Sequence, residues 1–261
     1  MVSAHMERDD TDSGLIQAVD TTLRIVEALN ESGTGGVTDL ARTLGLPKST
    51  VYNHLDTLHR RGYVVKTDEK YRLACRFLEL GSMTRDRRLV YRIARDEVTS
   101  LAEETGELSG LIVEEHGYGV FLHRAKGEQA VRVDTHVGKR IHLHGAALGK
   151  AMLAFLPAER VREVVDRHGL PALTDNTNTD EEHLHAELAD IREAGVAFDD
   201  EERIDGLRSV AVPLRTGDGD VLGAISVAGP TSRMRGERFR SELPDRLESA
   251  ANVVELNITY I

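Results

Sequence analysis

The sequence predicts an α+β protein in which an amino-terminal winged helix-turn-helix is joined by linker helices to a larger domain with an antiparallel sheet. In the first part of the chain, apolar residues recur at helical spacing, whereas from residue 107 onward short β-prone runs alternate with helices. A basic segment lies near the start, although the whole chain has a formal net charge of -11. A length of 261 residues is enough for two modest domains.

The chain is expected to contain four segments with different roles. Residues 1–14 are polar and predict a flexible tail, and residues 15–76 predict the winged helix-turn-helix domain. Residues 77–106 predict the linker helices, and residues 107–261 the larger domain. No apolar run is long enough to span a membrane, and a single cysteine excludes an internal disulfide framework. We therefore expect a cytoplasmic protein without a membrane partner.

Helical spacing predicts three helices at the start of the amino-terminal domain. The second helix, DLARTLG, is expected to be capped by Thr38 and to end at Gly45, because glycine adopts a left-handed turn readily. The third helix begins after Pro47, whose missing N–H costs nothing at a helix edge. The apolar stripe of the first helix is expected to contain Val19, Leu23, Val26 and Leu29.

The third helix has the polar outer face of a DNA-recognition helix. Its apolar residues Val51, Leu55 and Leu58 recur at helical spacing, so the side chains between them point outward. Two β-prone runs around a charged turn follow and predict a hairpin, or wing. Residues 40–72 contain seven basic and three acidic residues, a net charge of +4 that favours phosphate. The predicted DNA-binding residues are Lys48, Ser49, Thr50, Tyr52, Asn53, Arg60, Lys66, Lys70 and Arg72.

Purely structural interpretations of the same residues, without a role in DNA binding, are also compatible with the sequence. The basic cluster is also compatible with a solvated face, and the helices with a small bundle whose hairpin has no DNA role. His54 lies close to the buried stripe, so we expect it to bond to the backbone rather than to read bases. Cys75 is expected to fill a small apolar space.

In the remaining chain, linker helices are expected to break near Gly81 and to end at Gly106. Three strands are then predicted, namely LSGLIVEE, GVFLHRA and AVRVDTHVGKR, followed by the helix GAALGKAMLAFL. Thr179 and Glu182 predict a capping box for the next long helix. Strands return at GVAFD, SVAVPLR and VLGAISVAG, and the segment Leu243–Thr259 predicts a terminal helix. Strands and helices in this order favour an antiparallel sheet with helices on its faces.

The residues give little support to enzymatic chemistry. The sequence contains no Walker loop, no G-x-G-x-x-G and no G-x-S-x-G. His142 and His144 share a face of an extended segment, but no third ligand is evident, so no metal site is expected. We therefore expect a protein that is not an enzyme and that has no cofactor.

Several segments together resemble the IclR family of transcriptional regulators, from about residue 17 to the end of the chain. The helix-turn-helix is one of them, and LHGAALGKAMLAFLP and AISVAGPTSR are two others. The segment GVAFDDEERIDGLRSVAVPL is similar to the family signature, with Gly195, Asp199, Glu202 and Ser209 at matching positions. Arg215 departs from the signature, which usually has an aromatic residue or histidine there.

The resemblance implies a winged helix-turn-helix followed by a GAF-like effector-binding domain. It further implies a dimer or tetramer that represses or activates a catabolic gene set in response to an organic, aromatic or sugar acid. A two-fold dimer would bind double-stranded DNA at an inverted-repeat operator. The alternative is a GAF-domain metabolite-binding protein or enzyme whose winged helix serves protein contacts. The effector-binding residues that the resemblance implies are Ala147, Leu148, Asp199, Leu207, Ser209, Ser226 and Ala228.

Overall fold

The structure is a computed structural model that describes residues 14–260, in two compact units that divide between Met83 and Thr84. The division falls within the predicted linker. The predicted tail lies outside the described residues, except for Gly14. Within residues 14–260, no helix is both long and apolar enough to cross a membrane.

The smaller unit is a winged helix-turn-helix, as predicted. Val51, Leu55 and Leu58 are buried along one face of its third helix, and Gly45 ends the second helix in a left-handed conformation with φ of 66°. A three-stranded antiparallel sheet in the order β1-β3-β2 forms the wing. The elements are α1 (Gln17–Ser32), β1 (Gly35–Gly36), α2 (Val37–Leu44), α3 (Lys48–Arg60), β2 (Val64–Thr67) and β3 (Lys70–Leu73).

The buried face of α1 differs from the predicted stripe. Thr21, Ile25 and Leu29 point into the core, whereas Val19 and Leu23 are more than half exposed. Apolar residues lie on two faces of this helix, so spacing alone did not identify the face that packs against α2 and α3.

Two local expectations in the smaller unit were also wrong. Thr38 lies inside α2, which begins at Val37 after Gly36 without a side-chain cap. Cys75 is exposed rather than packed in an apolar space, because the chain leaves the wing there and begins the next helix.

The larger unit contains one six-stranded antiparallel sheet in the order β6-β5-β4-β9-β8-β7. Its strands are β4 (Leu108–Glu115), β5 (Tyr118–Lys126), β6 (Arg140–His142), β7 (Ala197–Asp200), β8 (Leu207–Arg215) and β9 (Val221–Pro230). Its helices are α5 (Leu89–Thr105), α6 (Ala147–Leu153), α7 (Ala158–His168), α8 (Glu181–Ala194) and α9 (Leu243–Thr259), with a short π-helical segment at Arg238–Glu242. A further helix, α4 (Arg76–Asp86), spans the division between the units.

Helices cover both faces of this sheet and give a three-layer α+β architecture. On one face, α5 and α9 pack on a core that includes Leu111, Val212 and Ile225. On the other face, α6, α7 and α8 pack on a core that includes Ile112 and Ala224. Neighbouring strand residues such as Ala224 and Ile225 point to opposite faces, so the two cores alternate along each strand. The predicted fold class is confirmed.

Three predicted details of the larger unit and its linker were wrong. Helix α4 continues through Gly81, and the chain breaks only at residues 87–88, before α5. Helix α8 is capped by Asp180, whose carboxylate accepts the N–H of His183 at 2.8 Å, instead of by Thr179. The predicted strand AVRVDTHVGKR is a loop except at its last residue, because the strand that pairs with β5 is Arg140–His142.

Candidate functional site

A small cavity lies on the sheet face that is covered by α6. Its floor follows from strand register, since residues paired across antiparallel strands lie on the same face of the sheet. Asp199 pairs with Ser209, and Ser209 pairs in turn with Ala228. Ser226 pairs with Gly110 on its other side. These residues are small or short, so they leave space where larger side chains would fill the core.

The cavity is narrow, and its wall is mainly apolar with a group of polar side chains set into it. The space open to the centre of a water molecule is about 40 Å³. The apolar part of the wall includes Phe121 and Leu148, whereas the polar part includes two arginines and several hydroxyls. The complete wall consists of Leu108, Ser109, Gly110, Phe121, Arg124, Val133, Thr135, Ala146, Leu148, Asp199, Arg203, Leu207, Ser209, Ser226 and Ala228.

Asp199 is the buried carboxylate of this cavity, with 2% of its surface exposed. One of its oxygens accepts the N–H of Glu202 at 2.8 Å, and the other accepts the hydroxyl of Ser209 at 3.1 Å. Burial, assisted by the negative charge of Glu202, raises the pKa of Asp199 to about 6. The hydrogen bonds and the charge of Lys150 oppose this rise without cancelling it. Asp199 therefore changes charge near neutral pH.

A buried lysine holds the segment that carries Asp199 and Arg203. Lys150 on α6 has no exposed surface, and its ammonium group lies 2.6 Å and 2.8 Å from the two carboxylate oxygens of Glu202. The same group lies 2.5 Å from Glu187 on α8. A buried charge requires such partners, so the network fixes α6, α8 and the segment after β7 against one another.

The segment after β7 is also tied down through its backbone. The hydroxyl of Thr174 donates to the carbonyl of Glu201 at 2.7 Å, and that of Thr177 donates to the carbonyl of Glu202 at 2.6 Å. Glu201 has a φ of 62°, a left-handed conformation that is costly for a residue with a side chain. These contacts compensate for that cost and direct Arg203 toward the cavity.

Six of the seven residues implied by the family resemblance line this cavity, and Ala147 does not. Ala147 is completely buried in the core beneath α6, and its neighbour Ala146 lies on the cavity wall instead. Position 147 is the first residue of α6, where helical rotation turns the side chain toward the core. Sequence reasoning missed Arg124 and Arg203, because only folding brings β5, the loop before β6 and the segment after β7 together.

In the smaller unit, α3 presents its polar residues to solvent. Lys48, Ser49, Tyr52 and Asn53 are exposed, and Thr50 is half-buried. Amino-terminal residues of such a helix are the ones that contact base edges in helix-turn-helix proteins.

The remaining predicted DNA-binding residues are exposed but differ in their local partners. Arg60 pairs with Asp56 at 2.9 Å, and Lys66 lies 3.8 Å from Glu69. Lys70 and Arg72 are exposed on strand β3 of the wing. Arg60 and Lys66 are therefore partly neutralised by neighbouring carboxylates.

His54 has a different partner from the one predicted. Its Nδ1 lies 2.8 Å from the hydroxyl of Thr22 on α1, so it bonds to a side chain and not to the backbone. This contact joins α1 to α3 near the middle of both helices.

The rings of His142 and His144 lie against each other, with their centroids 5.8 Å apart. Burial lowers the pKa of both imidazoles, and the Nε2 of His144 lies 3.0 Å from the carbonyl of Pro171. Among residues 14–260 there is no group of three potential ligands arranged to hold a metal ion.

Comparisons with known proteins agree with this arrangement of two units. Residues 18–68 match the IclR helix-turn-helix domain, and residues 84–256 match the family described as bacterial transcriptional regulator IclR C-terminal. The chain is 31% identical to the probable HTH-type transcriptional regulator ArcR of Halobacterium salinarum, with 93% of this chain and 94% of the relative covered. It is 30% identical to the transcriptional repressor IclR of Escherichia coli, with 87% and 84% covered.

Solved structures lead to the same conclusion. IclR of Thermotoga maritima has a TM-score of 0.79 at 27% identity, over 94% of this chain and all of that one. An IclR homologue from Microbacterium hydrocarbonoxydans, in complex with 4-hydroxybenzoate, has a TM-score of 0.79 at 27% identity, over 92% of this chain and 98% of its own. These relatives are regulators and not enzymes. With its winged helix-turn-helix and its effector-binding domain, the chain belongs to the IclR family of ligand-responsive, DNA-binding transcriptional regulators.

Proposed function

We propose that this protein represses or activates a catabolic gene set by binding an inverted-repeat operator in the cytoplasm, as a dimer or tetramer that responds to a small organic molecule. The observation that carries the proposal is the exposed polar face of α3, because it combines a base-reading amide with a nearby cation. Asn53 is suited to a bidentate contact with adenine, and Lys48 at the start of the helix is suited to phosphate.

Two apolar surfaces of the smaller unit support self-association. Ile16, just before α1, is 71% exposed, and Val19 and Leu23 on α1 are 53% and 56% exposed. On α4, where no residue is buried, Leu78 is 72% exposed and Met83 is 47% exposed. Apolar surface of this extent favours burial against a partner. The occupant that we propose is a second copy of the chain, since two recognition helices require two smaller units.

Footprinting on DNA upstream of the protein's own gene tests this proposal. Two protected half-sites related by inverted symmetry are expected, with their centres separated by about one helical turn of DNA or a multiple of it. A single asymmetric half-site at saturating protein would contradict the dimer. Leu23→Glu should weaken both self-association, measured by sedimentation, and operator binding. Asn30→Glu is the matched control, because it adds the same charge at an exposed position of α1 and should change neither property.

The cavity of the larger unit is proposed as the effector site. Support comes from the polar side chains set into its mainly apolar wall and from the related IclR homologue that was solved with 4-hydroxybenzoate. A ligand shifts an equilibrium between two conformations only by its difference in affinity for them. A bulky residue in the cavity should remove that difference without contacting the DNA-binding residues. We expect Ser226→Phe to keep operator affinity within about a few-fold of the original and to abolish the ligand response.

A further inference from the structure

Two arginines face the cavity, and among residues 14–260 neither has a carboxylate within the roughly 4 Å of an ion pair, although Arg203 feels the charge of Asp199 and both feel that of Asp134. Arg124 donates to the carbonyl of Thr135 at 2.8 Å and to that of Val133 at 3.4 Å. Within the described part of the chain, Arg203 donates only to the hydroxyl of Thr135, at 3.5 Å, and it lies over the ring of Phe121 at 5.7 Å. A guanidinium has five N–H donors in a fork that matches a carboxylate. Most donors of Arg203 therefore remain free for a ligand.

A hydrogen-bond acceptor and a free hydroxyl lie on the same wall. Asp199 uses one lone pair on each oxygen for Glu202 and Ser209, so each oxygen can accept one further hydrogen bond. Ser226 is 4% exposed, and within the part of the chain that the structure describes its hydroxyl has no protein partner. Because Ser226 lines the open space of the cavity, its hydroxyl is available to donate a hydrogen bond to a ligand.

The size and charge of the cavity further limit the class of ligand that it can bind. A water molecule needs about 10–15 Å³ of this kind of space, so 40 Å³ corresponds to roughly three water positions. The two arginines and Asp199 together carry a net charge of +1 when the aspartate is ionised. A monocarboxylate neutralises that charge, whereas a dicarboxylate leaves an uncompensated negative charge in a buried site.

We propose that the cavity selects a compact 2-hydroxycarboxylate, of the size of glycolate or lactate. Arg203 and Arg124 bind its carboxylate, and Asp199 accepts its hydroxyl, while Ser226 donates to a remaining ligand oxygen. This assignment rests on the proposed effector role of the cavity and names the class of ligand that occupies it. Asp199 makes the site specific for hydroxycarboxylates, because it favours a ligand that donates a hydrogen bond and repels an additional carboxylate.

Calorimetric titration of the full-length protein at pH 7.5 tests the proposal with five probes. L-lactate is compared with propionate, which lacks the hydroxyl, and with 1,2-propanediol, which lacks the charge. Gluconate and 4-hydroxybenzoate represent sugar acids and aromatic acids. We expect lactate to bind about tenfold or more tightly than propionate, because the lost hydrogen bond is to a charged group, and propanediol to show no binding. Equal affinities for lactate and propionate, or tighter binding of gluconate or 4-hydroxybenzoate, would overturn the assignment.

Substitutions identify the residues responsible. Arg203→Gln should weaken lactate and propionate alike by about tenfold or more, since it removes a charged donor from both. Asp199→Asn should reduce the preference for lactate over propionate, because an amide accepts the hydroxyl less strongly than a carboxylate. Arg132→Gln is the matched control, because Arg132 is exposed and absent from the cavity wall. Equal effects of Arg203→Gln and Arg132→Gln would count against the arginine pair.

The same samples separate this proposal from the proposed function. If none of the five probes binds while footprinting still protects an operator, the ligand class is wrong and the regulatory role stands. If lactate binds as expected but no operator is protected, the ligand class stands and the proposed inverted-repeat operator upstream of the gene fails.

Discussion

The substitution Asp199→Asn should stabilise the larger unit at neutral and alkaline pH, but not at acidic pH. The substitution keeps the shape of the side chain, and its amide can still accept the N–H of Glu202. It removes a negative charge that burial and Glu202 make unfavourable. The stabilisation should therefore appear only under conditions in which the original carboxyl would be ionised.

The magnitude follows from the two pKa values of Asp199. Its pKa is about 6 in the folded protein, against an ordinary value of 3.8. One pKa unit corresponds to about 1.4 kcal/mol, so the difference corresponds to at most about 3 kcal/mol. Because the folded pKa is the higher one, the contribution of Asp199 to stability is fully present below pH 3.8 and is lost as the pH rises through 6. The advantage of Asp199→Asn should grow over the same interval.

The free energy of unfolding is measured by urea denaturation at pH 4.5, 6 and 8. Hydrogen exchange of peptides from β8 and β9 reports the unfolding of the larger unit specifically. We expect the free energy of unfolding of Asp199→Asn to exceed that of the original protein by about 1–3 kcal/mol at pH 8 and by much less at pH 4.5. Asp200→Asn is the matched control: Asp200 is exposed and paired with Arg208, so its loss should change stability by about 1 kcal/mol or less. The reasoning is refuted if Asp199→Asn gives no gain at pH 8, or an equal gain at pH 4.5.

Three further predictions concern DNA recognition and the buried lysine. Asn53→Ala should cost about 1–3 kcal/mol on the true operator and little on random DNA, as measured by fluorescence anisotropy; equal losses on both would show that Asn53 does not read bases. Combining Lys48→Ala with Lys70→Ala should reduce the slope of log K for DNA binding against log salt by about 0.9 for each lost phosphate contact. A dimer loses each contact twice. An unchanged slope would show that these two lysines do not contact phosphate. Lys150→Met should destabilise the larger unit by up to about 3 kcal/mol, because it leaves the partly buried carboxylates of Glu187 and Glu202 without their cation. Adding Glu202→Gln should recover part of the loss in urea denaturation.

Much of the fold was predictable because local patterns and tertiary packing agree. The stripe Val51, Leu55 and Leu58 is buried as predicted, and the terminal helix spans Leu243–Thr259 as predicted. Predictions were wrong where two local solutions were similar in energy. On α1, two apolar faces competed, and the core selected the one with Ile25. At residues 131–139, a β-prone sequence lies beyond the strand pairing of β5 and forms a loop.

The sequence by itself determined the family, the order of the two domains and the positions of small residues along the strands that form the cavity floor. Spacing alone decides which strand residues share a face, so the alternation of Ser226 with Ile225 and Val227 was readable in advance. Only the tertiary structure decided the charge of the cavity. Arg124 and Arg203 are 79 positions apart in sequence, and they meet because β5 and the segment after β7 close over one sheet face. No local sequence pattern predicts that these two arginines lie close together, since the energy of their interaction depends on residues that are neighbours only after folding.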